Sequence, residues 1–263
     1  MAHQRPLTPE ELKKPPLEGG AFVELVHEQK AKRYPDLPPV YRAIADGTLE
    51  REYLELAIKD AYVYWDELYR AVGGIFVKTN AEEVRVNVLK KMVNVEGKQL
   101  GRQWNGMTTP AYEELWLRFA EGMGVPRAEV QAWKPFTRTH YAITTLASYA
   151  KGYEWTWLDG LASFYAADLH HKDCLSAVLD PLRTVYQAPE ASLEFFHVAL
   201  ADIDNDLRWE RENLAYLCCT TERQHTAARA FRERLDMEHQ SVLAVWMARE
   251  AEKTGGRIPA RVP

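Results

Sequence analysis

Pro110-Ala-Tyr-Glu-Glu-Leu-Trp-Leu-Arg-Phe-Ala-Glu-Gly122 decides the fold class. Tyr112, Leu115, Trp116 and Phe119 recur at i, i+3, i+4 and i+7, the period of one α-helical face. The charged residues fall between them, and a glycine closes the stretch. The long segments on either side repeat this pattern, and none of useful length alternates with period two, so strands are not supported. The predicted fold is all-α: a single bundle of about seven main helices.

Working outward, residues 19–33 read as a helix with Phe22, Leu25, Val26 and Gln29 on one face, ended by Pro35 and Pro38-Pro39. A short helix follows from Val40 to Asp46, closed by Gly47. Thr48 reads as the N-cap of a helix running to about Val72, with Gly73-Gly74 as a bend or close approach. Thr79-Asn80 caps a helix extending to about Asn105. Pro126 to Trp133 is short, and Thr137 to about His171 is long and aromatic, with an irregularity at Gly152 or Gly160. Pro181 and Pro189 bracket a loop; Ala191–Cys219 and Glu222–Lys253 complete the bundle, stopped by Gly255-Gly256. The expected organisation is an extended arm over 1–18, a bundle over 19–254 and a loose tail over 255–263.

The chain has 263 residues, 46% of them hydrophobic, which is enough to bury one large core. Its net charge is -5, with no dense patch of Lys or Arg, so a nucleic-acid partner is not expected. Apolar runs such as Ala71–Val77 are too short to span a bilayer, and the N-terminal residues lack the apolar segment of a secretory signal. Cys174, Cys218 and Cys219 make neither a disulfide framework nor a C-x-x-C pair, and Cys218-Cys219 reads as core. A cytoplasmic, soluble protein is expected.

Four groups of residues carry candidate chemistry. Lys91-Met-Val-Asn-Val-Glu-Gly-Lys-Gln99 sets Glu96 on a stripe with Leu89 and Met92, so that carboxylate is expected to be buried, and Gly97 would admit a close backbone or ligand. His170-His171 point about 100° apart on a helix, so one can face inward as a base while the other is solvated. Tyr149, Tyr153 and Trp157 step by four into an aromatic stripe beside Glu154. Tyr62 and Asp66 share a face near Tyr64 and Trp65, as a hydroxyl–carboxylate pair would. Di-iron bundles draw Glu-x-x-His sets from facing helices. Here Glu67, Glu96 and Glu154 lie on three helices, but Arg70 and Gln99 stand at the +3 positions of the first two, and Asp204 is followed by Arg208 and Arg211. The expected metal is none, with iron in an atypical ligand set as the lesser reading.

The order of segments resembles the pyrroloquinoline-quinone synthase and TenA group of the haem-oxygenase-like helical superfamily, over roughly residues 20–250. Val95-Glu-Gly-Lys-Gln99 is similar to that family's His-Asp-Gly-Ser-His segment, Ala167-Asp-Leu-His-His171 to its Ala-Pro-Gln-Ile-His segment, Asn205-Asp-Leu-Arg-Trp209 to its Arg-Asp-Val-Glu-His segment, and Glu233-Arg-Leu-Asp-Met-Glu-His239 to its Phe-Lys-Leu-Asp-Ile-Leu-Trp segment. The resemblance implies a seven-helix homodimer that oxidises a small organic substrate with O2, without metal or organic cofactor, in cofactor or natural-product biosynthesis. It also shows departures: Gln99 and Trp209 replace family histidines, Cys174 replaces an arginine, and Arg234 replaces a lysine. Synthesis of pyrroloquinoline quinone itself is therefore not expected. The implied site has His171 as base and Glu96 and Glu154 as orienting acids. Its pocket would be formed by Tyr64, Gln99, Tyr149, Tyr153, Trp209 and Arg234. A non-catalytic small-molecule-binding or accessory protein on the same fold is the alternative.

Overall fold

The structure is a computed structural model that describes residues 14–97, 110–151 and 157–262, the side chains of 147–151 excepted. Among these residues are ten α-helices: α1 Gly19–Arg33, α2 Pro39–Ala45, α3 Arg51–Lys78, α4 Glu82–Val95, α5 Tyr112–Gly122, α6 Arg127–Ala132, α7 Thr137–Lys151, α8 Trp157–Thr184, α9 Glu194–Leu217 and α10 Thr221–Thr254. A 3₁₀ turn, Glu190–Leu193, leads into α9. The described residues form no strand, only one isolated antiparallel bridge between Phe136 and Arg261. No described helix is long and apolar enough to cross a membrane.

α8 is the centre. Leu158 to Asp168 is buried residue after residue, the signature of a helix enclosed on all sides. It packs on α9 and α10, and also on α2, α3 and α7. Gly160 permits the close crossing with α3, because a Cβ there would lie 2.6 Å from Ile75 Cγ1. α10 runs against α8 and α7 and reaches α1, α2 and α3; α9 seals the other side with α4 and α5. The core follows the seams, with Phe119, Phe164, Phe195, Phe196 and Phe231 all almost fully enclosed.

Several boundaries differ from the sequence reading, for local reasons. α1 buries Phe22, Val23 and Val26, and Leu25 is exposed, so the inner face is rotated by about one residue. Thr48 does not cap α3: its hydroxyl bonds the Ala43 carbonyl of the preceding turn, and Glu50 is the cap residue. α3 runs through Gly73-Gly74 to Lys78 without stopping, and α4 starts after Ala81 instead of Thr79-Asn80. α4 ends at Val95, ten residues early, because Gly97 turns into the left-handed region at φ +78°. A Cβ at Gly97 would lie 2.3 Å from the Ala111 backbone nitrogen, so the close approach expected there is a chain crossing. Gly160 is regular helix, not an irregularity; Gly152 lies outside the described residues. α8 also continues past His171 and carries Pro181 in its last turn.

Both ends of the described chain are tied down. Leu17 and Gln224 exchange two hydrogen bonds, and Thr221 bonds the Lys14 carbonyl. The tail, expected to be loose, folds back on the α6–α7 joint: Thr137 N–H donates to the Ala260 carbonyl and Val262 N–H to Pro135.

Candidate functional site

Four apolar stripes meet at one level of the bundle, and each carries a polar residue where an apolar one is due. On α8 the stripe is Phe164, Asp168, His171, Leu175; on α4 it is Val84, Val88, Lys91, Val95. On α9, Asp206 and Glu210 stand between Ile203 and Leu214; on α10, Arg234 and Glu238 stand between Phe231 and Ser241. Helical spacing turns all of them inward.

Two charged clusters result. In the first, Lys91 Nζ lies 2.5 Å from Asp168 Oδ2, 2.6 Å from Asp206 Oδ2 and 3.7 Å from Glu210 Oε1, all buried. Trp209 Nε1–H donates to the free oxygen of Asp206 at 2.8 Å, and Tyr112 bonds Asp202 alongside. Burial alone would lower the Lys91 ammonium, but three carboxylates outweigh it and hold the charge well above its usual range. Burial raises Asp168 and, more strongly, Glu210, which is further raised by the neighbouring Asp168. In the second cluster, Arg234 ion-pairs Glu238, donates to Tyr64 Oη at 2.8 Å and to the Ala142 carbonyl at 2.7 Å, while Tyr64 donates to Glu238 Oε1 at 2.8 Å.

Between the clusters are two small chambers. The larger, about 80 Å³, is walled mainly by apolar side chains, among them Ile44, Leu54, Phe119, Val178, Leu182 and Val245. The smaller, about 20 Å³, lies beside Lys91 and Asp206. Tyr64, Trp65 and His171 border both. His171 is buried, with Nε2 3.6 Å from Glu238 Oε2, too long for a hydrogen bond. Burial, then the nearby Arg234 and Lys91, push its pKa down to about 3, so the imidazole is neutral throughout the physiological range. Chemically, this is a fixed neutral base on the wall of an apolar space.

His171, Tyr64 and Arg234 come together as the sequence reading grouped them. His170 is buried too, not solvated; it faces the other way, 3.6 Å from Cys174 Sγ, beside an outer groove with Lys30, Tyr34 and His239. Trp209 belongs to the Lys91 cluster and does not line either chamber. Glu96 corrects an expectation: it is exposed, as the C-cap of α4. Its pKa is raised modestly, first by partial desolvation and then by Glu113. The inner stripe of α4 passes through Lys91 and Val95, so the stripe through Leu89, Met92 and Glu96 is the outer one. Gln99, Tyr153 and Glu154 lie outside the described residues, as does the side chain of Tyr149. Tyr62 donates to Glu113 at 2.9 Å rather than to Asp66, and Cys219 is exposed rather than core. Glu67 pairs with Arg70, and Asp204 with Lys172.

The sequence reading missed Lys91, Asp168, Asp206, Glu210 and Glu238 as site residues, and had Trp65 only beside the Tyr62–Asp66 pair. The available signal was charge of both signs on apolar stripes of different helices, which is stable only if the stripes meet. The described residues do not fit a di-iron centre. The three clustered carboxylates enclose an ammonium, and no set of three or more His, Cys, Asp or Glu among the described residues could hold a metal.

The TENA/THI-4/PQQC family model matches residues 26–251. No curated protein sequence matches the chain significantly. The fold is similar to a CADD-like protein of unknown function from Nostoc punctiforme, with a TM-score of 0.68 and 16% identity over 90% of this chain and 97% of the other. It is also similar to a domain of unknown function with a heme oxygenase-like fold from Shewanella denitrificans, at 0.66 and 15% over 90% and 94%. A TenA homologue from Pyrococcus furiosus aligns at 0.64 and 14% over 84% and 98%. At these identities the likeness establishes the fold alone, the all-α haem-oxygenase-like bundle.

Proposed function

Because the chain belongs to the TENA/THI-4/PQQC family, we propose that it is an oxidoreductase acting on a small, mostly apolar organic molecule in the larger chamber. One observation carries the reading: a buried, neutral His171 faces an apolar space beside an Arg234–Glu238–Tyr64 network that fixes the charge around it. The neutral ring has a lone pair free to accept a proton, but the burial, Arg234 and Lys91 that hold it neutral also weaken it as a base, so the substrate must carry an acidic C–H or O–H. In the proposed step His171 takes a proton from the substrate, and the substrate's electron pair passes to O2. The second substrate proton and the one held by His171 complete hydrogen peroxide, so that SH2 + O2 gives S + H2O2. Synthesis of pyrroloquinoline quinone is not proposed. Arg234 is committed to Glu238, Tyr64 and Ala142, and Trp209 to Asp206, so neither is placed to take up substrate carboxylates.

The test is oxygen uptake and peroxide formation with cyclohexanone, hydroquinone and benzyl alcohol as probes. The expected result is uptake with stoichiometric peroxide for at least one probe, lost by about 100-fold or more in His171→Gln at an unchanged melting temperature. Undiminished turnover in His171→Gln overturns the role of the base. Binding without oxygen uptake for every probe favours the second reading, a small-molecule-binding protein, which the mutual satisfaction of Arg234, Glu238 and Tyr64 supports. Homodimerisation and a cytoplasmic setting belong to the same proposal; a monomer mass in light scattering at all concentrations would remove the first.

A further inference from the structure

Glu238 has one carboxylate oxygen engaged and one free. Tyr64 donates to Oε1 at 2.8 Å, and Arg234 ion-pairs the same atom. Oε2 has no hydrogen bond to any described residue. His171 Nε2 lies 3.6 Å from it, beyond hydrogen-bond range, and is likewise unbonded among the described residues. The fully enclosed polar atoms without partners include Trp65 Nε1 and both Glu210 oxygens, but neither Glu238 Oε2 nor a His171 ring nitrogen, so these keep open surface. The Glu238 side chain is 2% exposed, and of the described cavities it borders the larger chamber alone. Its open oxygen therefore faces that chamber, with the His171 ring beside it on the same wall. Asp60, the other carboxylate on this wall, is engaged: Trp133 Nε1–H and the Phe136 N–H reach Oδ1, and the Thr139 hydroxyl reaches Oδ2.

Two open acceptors side by side call for two donors. In its Nδ1–H tautomer the neutral His171 ring offers a lone pair at Nε2, and Glu238 Oε2 offers the second. A single hydroxyl has one proton and satisfies one of them. Hydroxyls on adjacent ring carbons satisfy both, each at about 2.7–2.8 Å. Charge narrows the class further. Lys91 is the one cation on the described walls of either chamber, and Asp168 and Asp206 already neutralise it. Arg234 stands behind the wall and is paired with Glu238. A carboxylate or phosphate head would therefore add buried negative charge with no counter-charge to receive it. Space and shape limit the rest: about 80 Å³ accommodates about five to eight water-sized groups, which suits one six-membered ring with two substituents. Tyr64, Trp65, Trp116, Phe119 and Phe196 supply aromatic surface for such a ring.

We infer that the chamber takes an uncharged aromatic ring with two adjacent hydroxyls, of the catechol class, one O–H donating to His171 Nε2 and the other to Glu238 Oε2. The inference rests on the reading of the chamber as the substrate site and names the substrate class of that site. The oxidation then balances on the ligand itself. Both O–H bonds break, the ring loses two electrons and becomes an ortho-quinone, and O2 takes the two electrons and two protons to become H2O2. The proton at His171 is the first to leave, and Glu238 holds the second hydroxyl in register.

The experiment compares catechol, resorcinol, phenol and benzoate on the full chain, by calorimetry and by oxygen uptake. Catechol is expected to bind about tenfold more tightly than phenol, the worth of one added hydrogen bond, and to be oxidised with stoichiometric peroxide. Resorcinol, whose hydroxyls are too far apart to meet both acceptors, is expected to bind like phenol, and benzoate not to bind. Glu238→Gln should erase the preference for catechol over phenol while leaving phenol affinity intact. The preference in the unmodified protein decides the matter even if that variant folds poorly. Equal affinity for catechol, resorcinol and phenol overturns this inference alone, because the chamber still binds a small aromatic molecule. Resorcinol binding as tightly as catechol, or benzoate binding tightest, also overturns it. If none of the four binds, the chamber is not a ligand site, and the functional reading falls with the inference.

Discussion

Lys91 and Glu96 are five residues apart on one helix, and their fates are opposite: the lysine is buried and the glutamate exposed. A rotation of about 100° per residue separates the two stripes, so the choice of stripe decides which charge is buried. Leu89 and Met92 draw the eye to the wrong one, although Val84, Val88 and Val95 mark the right one. Of the acids around Lys91, Glu210 is the one that burial, and then the neighbouring Asp168, raise well above the ordinary carboxylate range. A carboxyl raised in the folded state stabilises most below its ordinary pKa, and that stability is lost as pH rises towards the folded value. Glu210→Gln mimics the protonated form and removes the titration. Its melting temperature relative to the unmodified protein should therefore climb as pH rises above the ordinary carboxylate range. A pH-independent difference would show that Glu210 is ionised in the native state.

At the scale of helices, the Lys91 cluster is a staple joining α4, α8 and α9 across the bundle. Removing one partner of a buried ionic group leaves the others uncompensated, at about 3–5 kcal/mol. Lys91→Met is expected to cost that much in chemical denaturation, whereas Lys32→Met, which breaks the exposed pair with Glu28, should be neutral. A loss below about 1 kcal/mol at Lys91 would mean that the acids simply protonate and that the staple contributes little. The crossing of α3 and α8 makes a second case. Gly160→Ala places a methyl 2.6 Å from Ile75 Cγ1 and 2.7 Å from Cδ1, an overpacking worth about 1–3 kcal/mol. Shortening the opposing side chain should relieve it, so Gly160→Ala with Ile75→Ala should be less destabilised than the two single losses added together. Strict additivity would show that α8 shifts as a body.

At the scale of the whole molecule, residues 260–262 clasp the bundle at the α6–α7 joint. Arg261 lies 3.8 Å from the Trp133 ring, and residues 260–262 bond the backbone at Pro135 and Thr137, next to the Phe136 N–H that Asp60 accepts. Deleting residues 257–263 should remove about 1–2 kcal/mol and lower the melting temperature by about 2–8 °C, with catechol affinity unchanged. No shift in melting temperature would show the clasp to be energetically empty. Helical period, glycine and proline placement and the aromatic content of α5 and α8 were sufficient, within the chain itself, for the all-α class and for a single helical bundle; the grouping of Tyr64, His171 and Arg234 came from the family resemblance. The first two are local properties, carried by the spacing of neighbours along one helix. Which stripe faces inward, and therefore that Lys91 rather than Glu96 is buried and that Trp65 is left with an unsatisfied N–H, was decided only when four helices packed together. Burying a charge is tolerable only where a partner from another helix arrives, and one helix's pattern does not specify its neighbour's register.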